Sequence, residues 1–199
     1  LKNNDVPDRG LFFDRNMTQT KIMDARGVAR SIERIAHEII EHNGGAEDMA
    51  IVGIRTRGVY LAERLAKAIA RIEETDIPVG AVDITMYRDD VQIRLDQPII
   101  QKTELDFSID DKIVILVDDV LYTGRTVRAA LNELSDYGRT RCIQLAVLVD
   151  RGHRELPISA DYVAIRLQTY REENVIVKLK EHDGEDCVIL DQLKGEEQE

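Results

Sequence analysis

Val114-Ile115-Leu116-Val117-Asp118-Asp119-Val120-Leu121-Tyr122-Thr123-Gly124-Arg125-Thr126 is the stretch that decides the fold. Ile113 to Val117 is a continuous β-branched and aliphatic run, the composition of a strand buried on both faces, as a parallel sheet covered by helices requires. Val127 to Leu134 then carries helical spacing, so the two acids fall at the carboxyl end of a central strand, just before a strand-to-helix turn. That end of an open α/β sheet is where ligands bind, and the helix that follows offers unpaired N–H groups and a positive dipole end to an anion. Thr123 and Thr126 add hydroxyls, Gly124 permits close backbone approach, and Arg125 adds positive charge. The turn suits a phosphate. Asp118 and Asp119 cannot share that phosphate, because like charges a few ångströms apart repel. They suit sugar hydroxyls, a metal, or positive charge developing in a transition state. A ribose 5-phosphate satisfies both halves. The plainer reading, an acidic strand end before an ordinary helix cap, accounts for the acids but not for the register of strand, Thr-Gly-Arg-Thr turn and helix.

These thirteen residues resemble the phosphoribosyl pyrophosphate signature of the type I phosphoribosyltransferases. Four further segments make the chain similar to one branch of that superfamily, the bifunctional pyrimidine operon attenuation proteins and uracil phosphoribosyltransferases. They are Arg34 to Glu38, Val52 to Gly58, Asp83 to Asp90 and Leu148 to Pro157. The similarity runs from about Asp24 to about Leu190. It implies a single α/β domain, a mostly parallel sheet with helices on both faces, a small hood, and a mobile β-arm.

The rest of the chain agrees with one domain. Its 199 residues are 43% hydrophobic, enough for a single sizeable core. No apolar run approaches the roughly 18 residues of a membrane span, and no secretory pattern opens the sequence. Cys142 and Cys187 lie far apart without metal-ligand spacing, which favours free thiols in a reducing cytoplasm. A net charge of −11 does not advertise a nucleic-acid binder, although a local basic face survives such a total. Residues 1–16 are polar and turn-rich and read as a peripheral extension, residues 17–193 as the domain, and 194–199 as a charged tail.

Within the domain, Val28, Ile32, Ile35, Ile39 and Ile40 predict a helix with Asp24 as N-cap and Gly44 as C-cap. Strands are predicted at Met49–Ile54, Val79–Met86, Ile143–Val149, Tyr162–Ala164, Val175–Leu179 and Val188–Leu190, and a helix over Val59–Ile72. Arg88 to Asp111 breaks the rhythm. A connection of that length inside a domain is usually functional. The resemblance makes it the arm that closes over the diphosphate, with Arg88 in a catalytic role and Arg94 as a ligand contact.

A second anion site is expected at Arg55-Thr56-Arg57-Gly58, again a strand-to-helix turn, where the resemblance gives Thr56 and Arg57 to pyrophosphate. The resemblance also implies that Arg151 and the backbone near Val175 read the uracil edge. Sugar and phosphate would contact Asp118, Asp119, Val120, Leu121, Tyr122, Thr123, Gly124, Arg125 and Thr126. Asp118 and Asp119 would be catalytic, with Mg²⁺ carried on phosphoribosyl pyrophosphate and UMP as product. His153 is given no catalytic role. The same branch binds the leader RNA of its pyrimidine operon under the control of uridine nucleotides such as UMP and UTP. It does so through a basic face of a homodimer or homotetramer, matched here at Arg34, His37 and Arg154. Glu33 and His42 depart from that pattern, as does Ala164-Ile165-Arg166-Leu167-Gln168-Thr169 in place of Gly-Lys-Asn-Ile-Pro-Thr. A lost lysine and a gained carboxylate weaken phosphate contact. The alternatives to a uracil enzyme are an RNA-binding regulator with little catalysis and a purine phosphoribosyltransferase of the same fold.

Overall fold

The computed structural model describes residues 17–84 and 103–193. Among the described residues eight strands and four helices follow one another as β1 (Met17–Met23), α1 (Ala25–Asn43), β2 (Met49–Ile54), α2 (Arg57–Glu73), β3 (Val79–Val82), β4 (Ile113–Leu121), α3 (Arg125–Ser135), β5 (Cys142–Asp150), β6 (Tyr162–Arg166), β7 (Asn174–Lys178), α4 (Lys180–Asp183) and β8 (Cys187–Leu193). The predicted peripheral ends, and Arg88 and Arg94 of the expected arm, lie outside the described residues.

Five strands form a parallel sheet in the order β3-β2-β4-β5-β6. Alternate residues of β4 feed two cores, as the strand's period of two requires. Ile115 and Val117 pack with α1 and α2, while Val114 and Leu116 pack with Val127, Ala130 and Leu134 of α3. Helices therefore cover both faces, two on one side and one on the other. The α1 helix obeys its sequence signals: the Asp24 carboxylate accepts the Gly27 N–H, and Gly44 closes the helix at φ 71°.

Three expectations need correction. The central strand does not stop at Val117 but continues to Leu121, so both acids lie inside it. The helices after the two anion turns begin earlier than the apolar spacing indicates, at Arg57 and Arg125, because Arg57-Gly58 and Arg125-Thr126, ahead of the first apolar position of each, carry no apolar mark. The arm interval is also less open than its composition implies. Glu104 bridges back to Ala81, and Ile109 is fully buried, with Leu105 and Phe107 packed beside it.

The remaining strands make a separate antiparallel sheet, β1-β8-β7, which with α4 forms the hood. Its first strand, Met17–Met23, is not marked in the sequence. Thr18 to Lys21 are all exposed, so an edge strand with solvent on both sides shows no apolar alternation.

Candidate active site

The chain leaves β2 through α2 to β3 on one side, then returns to place β4 on the other, which puts the topological reversal between β2 and β4. A crevice opens at the carboxyl ends of two such strands. Both predicted anion turns lie there. Their closeness depends on missing side chains: a Cβ on Gly58 would stand 2.4 Å from the Val117 carbonyl oxygen, and one on Gly53 would stand 2.4 Å from the Val59 Cα. Two glycines let the start of α2 rest against β2 and β4 beside Asp118.

The β2 ladder ends at the Gly53–Val117 pair, whereas β5 accompanies β4 to Leu121. Beyond Val117 the two carboxylates take up backbone N–H groups. Asp118 Oδ1 accepts the Asp119 N–H at 2.9 Å, and Asp119 Oδ1 accepts the Val120 N–H at 2.9 Å. Asp118 is buried at 7% exposure. Burial pushes the Asp119 carboxyl above the usual carboxylate range, opposed by its hydrogen bonds with Asp118 and the Val120 N–H and by the charge of Arg57.

Both site helices start without a side-chain cap and without an acid in the first turn, in contrast to α1 with its Asp24 cap. Their N–H groups face the crevice end of the sheet with nothing negative of their own to satisfy them, the arrangement of an anion site. Gly124 adopts φ 91° at the head of α3, and a Cβ there would sit 3.4 Å from Leu156 and Ile158. Thr126 occupies the first turn. The Thr123 hydroxyl instead accepts the Arg125 N–H at 3.4 Å, and the Arg125 guanidinium donates to Glu155 at 2.7 Å.

The carbonyls of this turn are tied off from the next loop. Arg154 donates to the carbonyls of Leu121 (3.3 Å), Tyr122 (2.8 Å), Gly152 (3.1 Å) and Ile158 (2.9 Å), and pairs with Asp150 at 2.6 Å. The fold thus turns this residue, expected on an RNA face, inward, where it holds the start of the Tyr122–Thr126 turn. Leu121 itself is buried at 1% exposure, so its side chain is not available to a ligand.

Arg151 is 6% exposed, with its guanidinium 4.1 Å over the Tyr122 ring and a hydrogen bond to the Tyr170 carbonyl. Its Nε has no acceptor among the described residues. His153 sits against Tyr122 and contacts the Thr169 carbonyl at 2.6 Å. A carbonyl only accepts, so Nε2 carries the proton. The run that departs from the resembled pattern is held on this loop, since the Leu167 N–H donates to Asp150 and the Thr169 hydroxyl to Arg151. Val175 lies in β7, paired with Leu190.

Arg57 stands at the first position of α2. Its Nε and Nη2 donate to Asp183 of α4 at 3.0 and 2.7 Å. Asp183 holds its carboxyl well below the usual range, at about 2, chiefly because of that hydrogen bond. Sequence reasoning missed Asp183, and no local signal marks it. On α1, Arg34 donates to Glu38 and to the carbonyls of Val163 and Ala164 in β6, and His37 is exposed. Arg26 and Arg30, also exposed, extend that face, and their helical spacing with Arg34 was the available signal.

The phosphoribosyl transferase domain model matches residues 18–185. Proteins named Bifunctional protein PyrR are similar over most of the chain. The one from Pelotomaculum thermopropionicum is 56% identical over 172 residues, 86% of this chain and 95% of that protein. The one from Deinococcus deserti is 60% identical over 169 residues, 85% of this chain and 92% of that protein. A hypoxanthine phosphoribosyltransferase structure from Staphylococcus aureus superimposes with a TM-score of 0.64 at 18% identity, over 85% of this chain and 90% of that one. A hypoxanthine-guanine phosphoribosyltransferase structure from Bacillus anthracis gives 0.64 at 16% identity, over 85% and 95%. Those two likenesses concern the fold alone. With two uncapped helix starts meeting an acid pair at the sheet's reversal, and with relatives this similar over nearly their whole length, the chain belongs to the phosphoribosyltransferase family and, within it, to the group of PyrR proteins.

Proposed function

We propose that this protein transfers the phosphoribosyl group of phosphoribosyl pyrophosphate to N1 of uracil, giving UMP and pyrophosphate. The observation that carries the reading is the meeting of the Arg57 and Thr126 helix starts with Asp118 and Asp119 at one strand reversal. The 5-phosphate lies on the Thr123–Thr126 turn, the ribose hydroxyls on the two acids, and the diphosphate on Thr56 and Arg57.

The bond from the anomeric carbon to the diphosphate oxygen breaks as the bond to uracil N1 forms, and the N1 proton is given up to Asp119 or to solvent. Positive charge builds on the sugar ring, as in glycoside cleavage. Asp118 and Asp119 stabilise that charge from fixed positions, while Arg57 holds the diphosphate in the bound substrate and in the leaving group alike. The donor set fits Mg²⁺ as part of the substrate. Two adjacent carboxylates are the usual protein share of a Mg²⁺ site whose other ligands are phosphate oxygens and water. When bound, the ion neutralises diphosphate charge. The unsatisfied Arg151 Nε supports a contact with a uracil carbonyl oxygen, with the backbone near Val175 on the other edge. Arg88 and Arg94 complete the proposal from the arm.

The test is incubation of the protein with phosphoribosyl pyrophosphate, Mg²⁺ and either uracil or hypoxanthine, following pyrophosphate release. Uracil-dependent release is expected; release with hypoxanthine and none with uracil overturns the substrate assignment.

A second activity, nucleotide-controlled binding of pyrimidine leader RNA, is favoured by the exposed stripe Arg26, Arg30, Arg34 and His37 on α1. It lies beside an open groove of about 640 Å³ that is also lined by Lys21. Arg154 contributes indirectly at most, its donors being held inside. A homodimer or homotetramer in the cytoplasm is the proposed setting. Among the described residues no helix is long and apolar enough to cross a membrane. Saturable binding of leader RNA, strengthened by UMP or UTP and weakened steeply by salt, is the expected result of a filter-binding titration. Binding unaffected by nucleotide rejects the regulatory role.

A further inference from the structure

Three consecutive contacts fasten the hood to α2. Arg57 forms its two-bond pair with Asp183, Tyr60 stacks on His182 at 6.4 Å between ring centres, and Arg64 donates to both Glu181 and Asp186. Positions 57, 60 and 64 fall on one helical face, so a single stripe of α2 carries the whole clasp. Arg64 and its partners lie two turns away from the crevice and serve attachment. Arg57 differs, because it begins the helix whose N–H groups face the ligand.

A guanidinium has two edges able to grip a two-oxygen partner: one formed by Nε with Nη2, the other by Nη1 with the second Nη2 hydrogen. Asp183 takes the first. Among the described residues Nη1 makes no hydrogen bond. The Asp183 carboxylate is itself held, since its Oδ2 also accepts the Leu179 N–H at 2.9 Å. Arg57 is therefore fixed by its inner edge and presents its outer edge, within range of the Asp119 charge.

We infer that Asp183 is a positioning residue: from the hood, it orients Arg57 so that the outer edge of the guanidinium meets the diphosphate of the substrate. The inference rests on the proposed phosphoribosyl transfer. A long arginine side chain left free must be ordered at each binding event, and holding it in advance removes that cost. The residue acts before chemistry, so its loss weakens substrate binding and leaves the rate of the bound complex nearly intact.

The experiment compares wild type, Asp183→Asn, Arg57→Ala, the double variant and Arg64→Gln. In Asp183→Asn the KM for phosphoribosyl pyrophosphate should rise on the order of tenfold, the usual loss for one charge-assisted pair, with kcat within about twofold and KM for uracil unchanged. In the Arg57→Ala background the same substitution should add nothing. Arg64→Gln should lower thermal stability without moving either KM. An unchanged KM in Asp183→Asn, or an equal rise with Arg57 already removed, overturns the inference. Should Asp183→Asn fail to fold, nitrogen-resolved NMR of the wild-type Arg57 Nε–H decides. Slow solvent exchange that persists at saturating pyrophosphate and Mg²⁺ supports positioning, and fast exchange in that complex refutes it. A wild-type chain that binds neither phosphoribosyl pyrophosphate nor pyrophosphate sinks the functional reading itself. Intact wild-type binding with an indifferent Asp183 sinks only this inference.

Discussion

Asp119 sits where burial discourages its charge and where the proposed reaction requires it. Its carboxyl is raised above the ordinary 3.8, chiefly by desolvation. The neutral form therefore persists to higher pH, and support of the charged sugar appears only as pH rises through the raised value. A log kcat/KM profile from about pH 4 to about pH 8, which reports groups of the free enzyme, should show an acid limb that Asp119→Asn removes, and a flat wild-type profile would contradict that role. Replacing Asp118 and Asp119 together by asparagine should abolish turnover while circular dichroism stays native, because neither side chain belongs to the apolar cores. The acids were legible from sequence because they interrupt an apolar run. Asp183 was not legible: it lies 126 residues from Arg57, and only the folded chain brings the two together. Arg154 shows the converse, a surface-like residue in a basic cluster that the fold directs onto four carbonyls.

The elements that position the site were legible in proportion to their burial. β2 and β5 show as continuous apolar runs, and α1 shows through both its caps and its spacing. β1 and the four-residue α4 did not show, because an exposed edge strand and a single helical turn bury too little to leave a pattern. The contact between α2 and β4 is the tightest joint near the ligand. Gly58→Ala would drive a methyl to 2.4 Å from the Val117 oxygen, and since that neighbour is backbone, relief requires moving the helix. Urea unfolding should show a loss of about 1 to 3 kcal/mol, the range for overpacking. At the neighbouring element, Thr126→Ala should raise KM for phosphoribosyl pyrophosphate with little change in thermal midpoint. An unaltered KM argues against a phosphate on the first turn of α3.

Across the whole molecule, the hood joins the main core through Val177, Leu179 and Val188 and adds a set of paired charges beside them. Its acids Asp183, Glu181 and Asp186 all have carboxyls below their ordinary values, held there by Arg57 and Arg64. A depressed pKa contributes stability that is fully present above the unfolded value and is lost as pH falls through the folded one. For Asp183 that window runs from 3.8 down to about 2. Hydrogen exchange should find the hood amides as protected at pH 5 as at pH 7, and opening before the parallel sheet only below about pH 4. Simultaneous loss of protection in both sheets would show that the clasp does not set hood stability.

The pairing of Met17–Met23 with Cys187–Leu193 has a consequence for synthesis on the ribosome. The β1 strand emerges with no neighbour and must wait until Cys187–Leu193 has been translated. Pairings so distant along a chain form late. A product cut short after α4 would keep its parallel sheet but leave β1 and β7 with open edges, a template for joining other unfinished chains.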